Sequence, residues 1–262
     1  KAAGLSTQTY TYYDSSSRSL HFEGMYRDLA SLEDGSVVLL HACAHNPTGV
    51  DPTQEQWKQI AEVVKEKGHF PFFDMAYQGF ASGDADRDAF AVRYFVEQGL
   101  EIALSQSFAK NMGMYGERTG LFSLVTGSPE EKSRVESQLK ITVRPMISNP
   151  PLHGARIAAR ILSNDALKAQ WLAEVRGMAD RIKSMRAMLR GLLVDEYGSK
   201  RNWDHITNQI GMFAFLGITP EQVEKLSSEH HVYLTKDGRI SVAGITEHNV
   251  KHLAESLAKV TA

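Results

Sequence analysis

Apolar positions along the chain follow two periods. From Asp165 to about Glu196, Leu167, Trp171, Val175, Met178, Ile182, Met185, Leu189 and Leu192 step by three or four. That spacing predicts one long amphipathic helix of ~45 Å and accounts for its methionines as core. Elsewhere the apolar residues form short runs. Residues 36–42 are continuously apolar, as in a strand buried on both faces of a parallel sheet, and 70–74, 102–105 and 120–125 read as further strands. Helical segments fall between or after them. Phe22 to Leu32 is one. Asp51-Pro52-Thr53 opens another, with Trp57, Ile60, Ala61 and Val64 on one face, Thr53 and Gln56 placed for a capping box, and Gly68 closing it. A third starts at Ser128-Pro129, where proline fits the first turn. Strands alternating with helices predict an α/β fold with a mostly parallel sheet, whose ligands gather at the carboxyl ends of the strands.

The two ends read differently. Residues 5–22, with Tyr10, Tyr12 and Tyr13, suit a partly buried strand ending at Asp14-Ser-Ser-Ser17. Beyond the long helix, Thr207 to Leu216 is strand-like and Thr219-Pro220 starts a helix. Val232 to Ile245 reads as a hairpin turning at Asp237-Gly238, and Val250 to Val260 as a helix. This pattern predicts a smaller α+β domain. The boundary falls inside the helix at ~165–196, giving residues 1–177 as the large domain and 178–262 as the small one.

Composition narrows the function classes. With 42% hydrophobic and 23% charged residues, the 262-residue chain has ordinary globular composition. A formal charge of -2 gives no general reason to expect nucleic acid or an anionic membrane as a partner, so a small molecule is the better expectation. The single cysteine, Cys43, excludes an intrachain disulfide and a multi-thiolate metal site, and no metal is expected. No apolar run approaches the ~20 residues of a membrane span, and the first residues lack a signal-peptide pattern. The opening Lys1-Ala-Ala-Gly-Leu5 also lacks a domain-opening pattern, so upstream material is expected.

Candidate chemistry centres on the loop from Ser105 to Gly120. Lys110 follows a strand, where a neutral amine could form an imine with an aldehyde. Ser107 and Arg118 flank it with a hydroxyl and a fixed cationic fork, as a phosphate dianion requires. Together the three describe a pocket for pyridoxal phosphate. An isolated lysine is more often a solvated surface group, so corroboration has to come from the rest of the chain. Asn46 and Asp74 also lie just past strands, and the sheet reading brings both toward Lys110.

Six motifs occur in order: His45-Asn-Pro-Thr-Gly49, Asp74-Met-Ala-Tyr77, Ser107-Phe-Ala-Lys110, Arg118, Arg144-Pro-Met-Ile-Ser-Asn-Pro-Pro151 and Arg239-Ile-Ser-Val-Ala-Gly244. In this the chain resembles the aspartate aminotransferases, class I pyridoxal-phosphate-dependent enzymes, over essentially its whole length. Gly116-Glu-Arg118 and Arg239-Ile-Ser-Val-Ala243 resemble the mitochondrial-type branch, which implies the mitochondrial matrix. The resemblance implies a partial type I fold of pyridoxal-phosphate-dependent transferases and a homodimer with shared active sites. It implies reversible amino transfer from L-aspartate to 2-oxoglutarate, giving oxaloacetate and L-glutamate. Lys110 would hold pyridoxal 5′-phosphate and then act as base. Asp74 would pair with the pyridine nitrogen, Asn46 and Tyr77 with the ring oxygen, and Ser107 and Arg118 with the phosphate. Arg239 would take the α-carboxylate, and Arg144 the distal carboxylate in the opposite subunit's site. His41 would support Asp74, a hydrogen-bonded core histidine being the other reading of that residue. The Asn46-Pro47 bond would be cis. The family's subunit also begins before Lys1, with a glycine-containing phosphate loop, a tryptophan over the cofactor and an arm on the partner. A catalytically silent fragment that only binds or oligomerises is therefore the alternative.

Overall fold

The computed structural model describes residues 4–262, so Lys1 to Ala3 of the opening stretch lie outside the described residues. In chain order come β1 (Tyr13–Asp14), β2 (Ser19–Leu20), α1 (Phe22–Ser31), β3 (Val37–His41), α2 (Gln54–Glu66), β4 (Phe70–Met75), α3 (Ala85–Asp88), α4 (Phe90–Glu97), β5 (Ala103–Ser107) and β6 (Gly120–Leu124). They are followed by α5 (Pro129–Ile147), α6 (His153–Leu162), α7 (Asp165–Gly191), α8 (Asp204–Asn208), β7 (Phe213–Phe215), α9 (Pro220–His230), β8 (Arg239–Ser241) and α10 (Val250–Val260). Two compact units result. A sheet unit comprises Val37–Ala44 and Phe70–Arg181, and a terminal unit comprises the described residues through Ser36, His45–His69 and Ile182–Ala262.

The sheet unit is built on four strands in the order β3-β4-β5-β6. The first two pairings are parallel and the last is antiparallel, because the lysine loop turns β6 back along β5. Register aligns His41 with Asp74, Asp74 with Ser105, and Ser107 with Gly120. Phe73 and Phe95 meet edge to face with centroids 5.0 Å apart in the core under this sheet. The mostly parallel α/β reading is thus borne out, with one correction to β3. Val38 and Leu40 are buried, whereas Val37 is 63% and Leu39 52% exposed. Successive side chains alternate faces, and among the described residues β3 is an edge strand with one open face.

In the terminal unit the capping box of α2 forms as expected: Gln56 N donates to Thr53 Oγ1 at 3.2 Å, and Thr53 N to Gln56 Oε1 at 2.8 Å. Its apolar face buries Trp57, Ile60, Ala61, Val63 and Val64. Three expectations are corrected. The stretch 5–22 holds two short strands in an antiparallel hairpin, Tyr13 opposite Leu20, because Asp14 accepts bonds from Ser16 and Ser17 and turns the chain. Within 207–216 only Phe213–Phe215 is strand, and α8 runs through Asn208. The turn at Asp237-Gly238 exists, but the strand that β8 pairs with is β7, and among the described residues only Thr235 N of 232–236 reaches β8 through the main chain, at Arg239 O, 3.4 Å away. His231 adopts a left-handed cap at the end of α9 and Val232 N bonds Leu226 O, which diverts that segment from strand pairing. The long helix is α7, which ends at Gly191 and continues as a π-helical turn, Leu192–Glu196.

Candidate active site

The carboxyl ends of the parallel strands carry the first group of side chains. Asp74 lies near the end of β4 beside His41 of β3, and Ala42 N donates to the Asp74 carbonyl at 2.9 Å. Burial lowers the His41 pKa, and the negative charge of Asp74 opposes that shift. Past β4, Tyr77 is buried and its loop is held by Asp88, also buried, whose carboxylate accepts from Gly79 N, Ala81 N, Ser82 N and Ser82 Oγ. Gly79 is required there. Its φ is +93°, and a Cβ would lie 2.4 Å from Val175 Cγ1.

The loop after β5 is shaped by its own polar groups. Ser107 Oγ accepts from Ala109 N at 3.2 Å, and Phe108 N donates to Thr119 O at 3.1 Å. Phe108 packs with Met114 and Ala158, so the loop is anchored on an apolar side chain beside the lysine. Lys110 Nζ stands 5.1 Å from the centroid of the Tyr77 ring. Next to it, Asn111 is buried, donates to Gln78 O at 3.2 Å and accepts Trp171 Nε1 on its main-chain carbonyl at 2.7 Å. Arg118 is exposed, has φ 51°, and donates to Tyr115 O at 3.1 Å. Because Gly120 is the strand partner of Ser107, Arg118 lies only two residues from that pairing. A hydroxyl, an amine and a guanidinium therefore share one loop.

Asn46 and Arg239 belong to the terminal unit, where they meet. Arg239 Nη1 donates to Asn46 Oδ1 at 3.1 Å, and its guanidinium carbon lies 5.1 Å from the Phe213 ring centroid. Both Phe213 and Arg239 line a cavity of about 730 Å³ that also reaches Tyr233, Thr235 and Ser241. The Asn46-Pro47 bond is cis. His45 stacks on Tyr12 at 4.0 Å and bonds Thr48 Oγ1 at 2.8 Å, fixing the loop that carries Asn46. Arg144 is brought to none of these groups. It lies exposed on α5, and its side chain makes no hydrogen bond or ion pair among the described residues.

The model of the family described as "Aminotransferase class I and II" matches residues 1–257. The chain belongs to the class I and II aminotransferases. Within that family it is 59% identical over 259 residues to a mitochondrial aspartate aminotransferase of Gallus gallus, covering 99% of this chain and 61% of that relative. It spans less than two thirds of the relative's length. Among solved structures, a mitochondrial aspartate aminotransferase from Trypanosoma brucei superposes with a TM-score of 0.97 at 45% identity, covering 100% of this chain and 68% of the other. An aromatic-amino-acid aminotransferase from Burkholderia pseudomallei, covalently bound to pyridoxal phosphate, gives 0.97 at 42% identity, covering 100% and 65%.

Several supporting residues escaped the sequence reading. Asp88, Asn111 and Phe213 carry no motif of their own, and an acid between Arg87 and Ala89 reads as helix surface. One signal was present for Asp88, because Gly79, Ser82 and Gly83 just upstream form a turn-rich loop that needs an acceptor.

Proposed function

We propose that this chain is the cofactor- and dicarboxylate-binding portion of an aspartate aminotransferase, moving an amino group reversibly from L-aspartate to 2-oxoglutarate to give oxaloacetate and L-glutamate. The observation that carries this reading is the Lys110 amine beside Tyr77, in a loop that also holds Ser107 and Arg118. The donor set fits pyridoxal 5′-phosphate. Ser107 Oγ accepts from Ala109 N, which leaves its O–H to donate to a phosphate, and Arg118 commits one N–H of its fork to Tyr115 O. Asp74, at the end of β4, offers a carboxylate to the ring nitrogen, while Tyr77 and Asn46 offer donors to the ring oxygen.

Bound pyridoxal phosphate supplies an electron sink for negative charge at the substrate α-carbon and carries the amino group between the two half-reactions. Lys110 would hold the cofactor through its amine and would serve as the base that takes the proton from the substrate α-carbon. Asp74 would pair with the ring nitrogen and favour its protonated form, with His41 behind it on the adjacent strand. Arg239 receives the α-carboxylate as a fork already held by Asn46. Arg144 receives the distal carboxylate in a partner subunit's site, which makes a homodimer part of the mechanism. Two features of α5 support that role: it buries none of its residues, and it exposes Ile141, Met146 and Ile147 around Arg144. The relatives named as mitochondrial enzymes support the mitochondrial matrix as its compartment.

The test is a visible spectrum of the chain with pyridoxal phosphate, before and after L-aspartate. A cofactor band that shifts on adding aspartate, and that Lys110→Ala abolishes, is the expected result. A folded chain that retains the band in Lys110→Ala would overturn the assignment.

A further inference from the structure

Arg186 is a cation in the wrong place for one. It lies in α7, is 2% exposed, and directs its bonds to main-chain carbonyls rather than a carboxylate: Nη1 to Ile206 O at 2.8 Å, Nη2 to Gly211 O at 3.0 Å and to Phe213 O at 2.5 Å. Its Nε finds no partner among the described residues. Burial lowers its pKa to about 10, which still leaves it charged at neutral pH. A buried charge without a counter-ion is unfavourable unless its bonds hold something the fold needs.

What it holds is the cradle of Arg239. The three carbonyls span residues 206–213, and Ile210 N in that segment donates to Gly49 O at 2.7 Å. The approach is close, since a Cβ on Gly49 would lie 2.9 Å from Ile210 O and 3.0 Å from Phe213 O. Gly49 closes the loop that bears Asn46, and Phe213 bears the ring beneath Arg239. One guanidinium thus fixes the segment that supports Arg239 through both Asn46 Oδ1 and the Phe213 ring.

We propose that Arg186 is a positioning residue for substrate binding: by clamping the carbonyls of 206–213 it holds Phe213 and the Asn46 loop so that Arg239 presents a preformed fork to a carboxylate. The inference rests on the reading of Arg239 as the carboxylate-binding arginine. Preorganisation matters because an arginine fixed before binding loses less side-chain freedom when the ligand arrives.

Two measurements test it. The first is NMR relaxation of the Arg239 side-chain Nε in the ligand-free chain, comparing the parent with Arg186→Lys and Phe213→Leu. Arg239 should be ordered in the parent and visibly more mobile in both variants. The second is calorimetric binding of succinate to the pyridoxal-phosphate-loaded chain. Each variant should bind about 3- to 10-fold more weakly, the range expected for losing a ring contact and its preorganisation. Neither should weaken binding further once Arg239→Leu is present. If Arg186→Lys does not fold, Phe213→Leu decides. Unchanged Arg239 order in a folded Phe213→Leu variant would overturn the proposal, whatever succinate does. Parent-like succinate binding by Arg239→Leu would instead overturn the carboxylate reading, a separate failure.

Discussion

His205 shows how one residue ties stability to pH. It is 5% exposed, its Nε2 faces Leu216 O at 3.2 Å, and its Nδ1 accepts from Arg18 Nη1 at 3.1 Å, so the neutral ring satisfies both neighbours. Burial first, then the Arg18 charge, lowers its pKa to about 4 from 6.5. The unfolded chain takes up this proton more readily than the folded one, so stability is full above pH ~6.5 and falls as pH drops toward 4, by up to about 3 kcal/mol. Urea unfolding across that range should show the decline, and His205→Gln should flatten it. At Arg144 the expectation concerns specificity: Arg144→Leu should lower kcat/KM for aspartate on the order of 100-fold and leave aromatic substrates nearly unchanged. Equal losses for both would refute the recognition role proposed for it. Lys110, Asp74 and Asn46 were legible as candidates because each is a chemically distinctive residue that stands at or just past the end of an apolar strand. Arg186 was not, since between Met185 and Ala187 it reads as the polar side of a helix, and only the folded chain turns it onto three carbonyls.

Among the elements, the helices with local start signals were read most closely. The box expected at Thr53/Gln56 forms, and the helix expected from Thr219-Pro220 starts there with a box of its own to Gln222, because a cap needs only residues three apart. Strand pairing in the terminal unit was misread for the opposite reason. β8 lies far in sequence from β7, and the partner was settled by the left-handed cap at His231 rather than by apolar alternation. Helix α5 is the element whose sequence and surroundings disagree most. Met146 is 72% exposed near its end, in a helix without a buried residue. Met146→Glu should therefore weaken self-association, read by sedimentation, while leaving the circular dichroism of the chain unchanged. An unchanged sedimentation coefficient across the accessible concentration range would exclude this face from the homodimer interface proposed above.

For the molecule as a whole, the α/β class and the lysine-bearing sheet end followed from alternating strands and helices. The open face of β3 did not, because an apolar run looks the same whether or not a second layer covers it. Nor did the interleaving of the two units, which follows contacts rather than chain order. The terminal unit draws buried residues from both ends of the sequence, with Met25 and Leu29 in α1 and Trp57 and Ile60 in α2 where those two helices pack together, and Leu253, Ala254 and Leu257 in α10, which packs on α9 and the π-helical turn. Removing residues 250–262 should uncover the faces of α9 and of the π-helical turn that α10 covers, bring forward proteolysis within the terminal unit and lower its unfolding midpoint. The same interleaving sets a timetable during synthesis. The sheet unit has all its residues once Arg181 is made, whereas the terminal unit stays unfinished until α10 leaves the ribosome. Its earliest segments, such as the Gly49 loop that bonds Ile210, must wait through most of translation for their partners, and any chaperone that attends this chain would have its longest opportunity there.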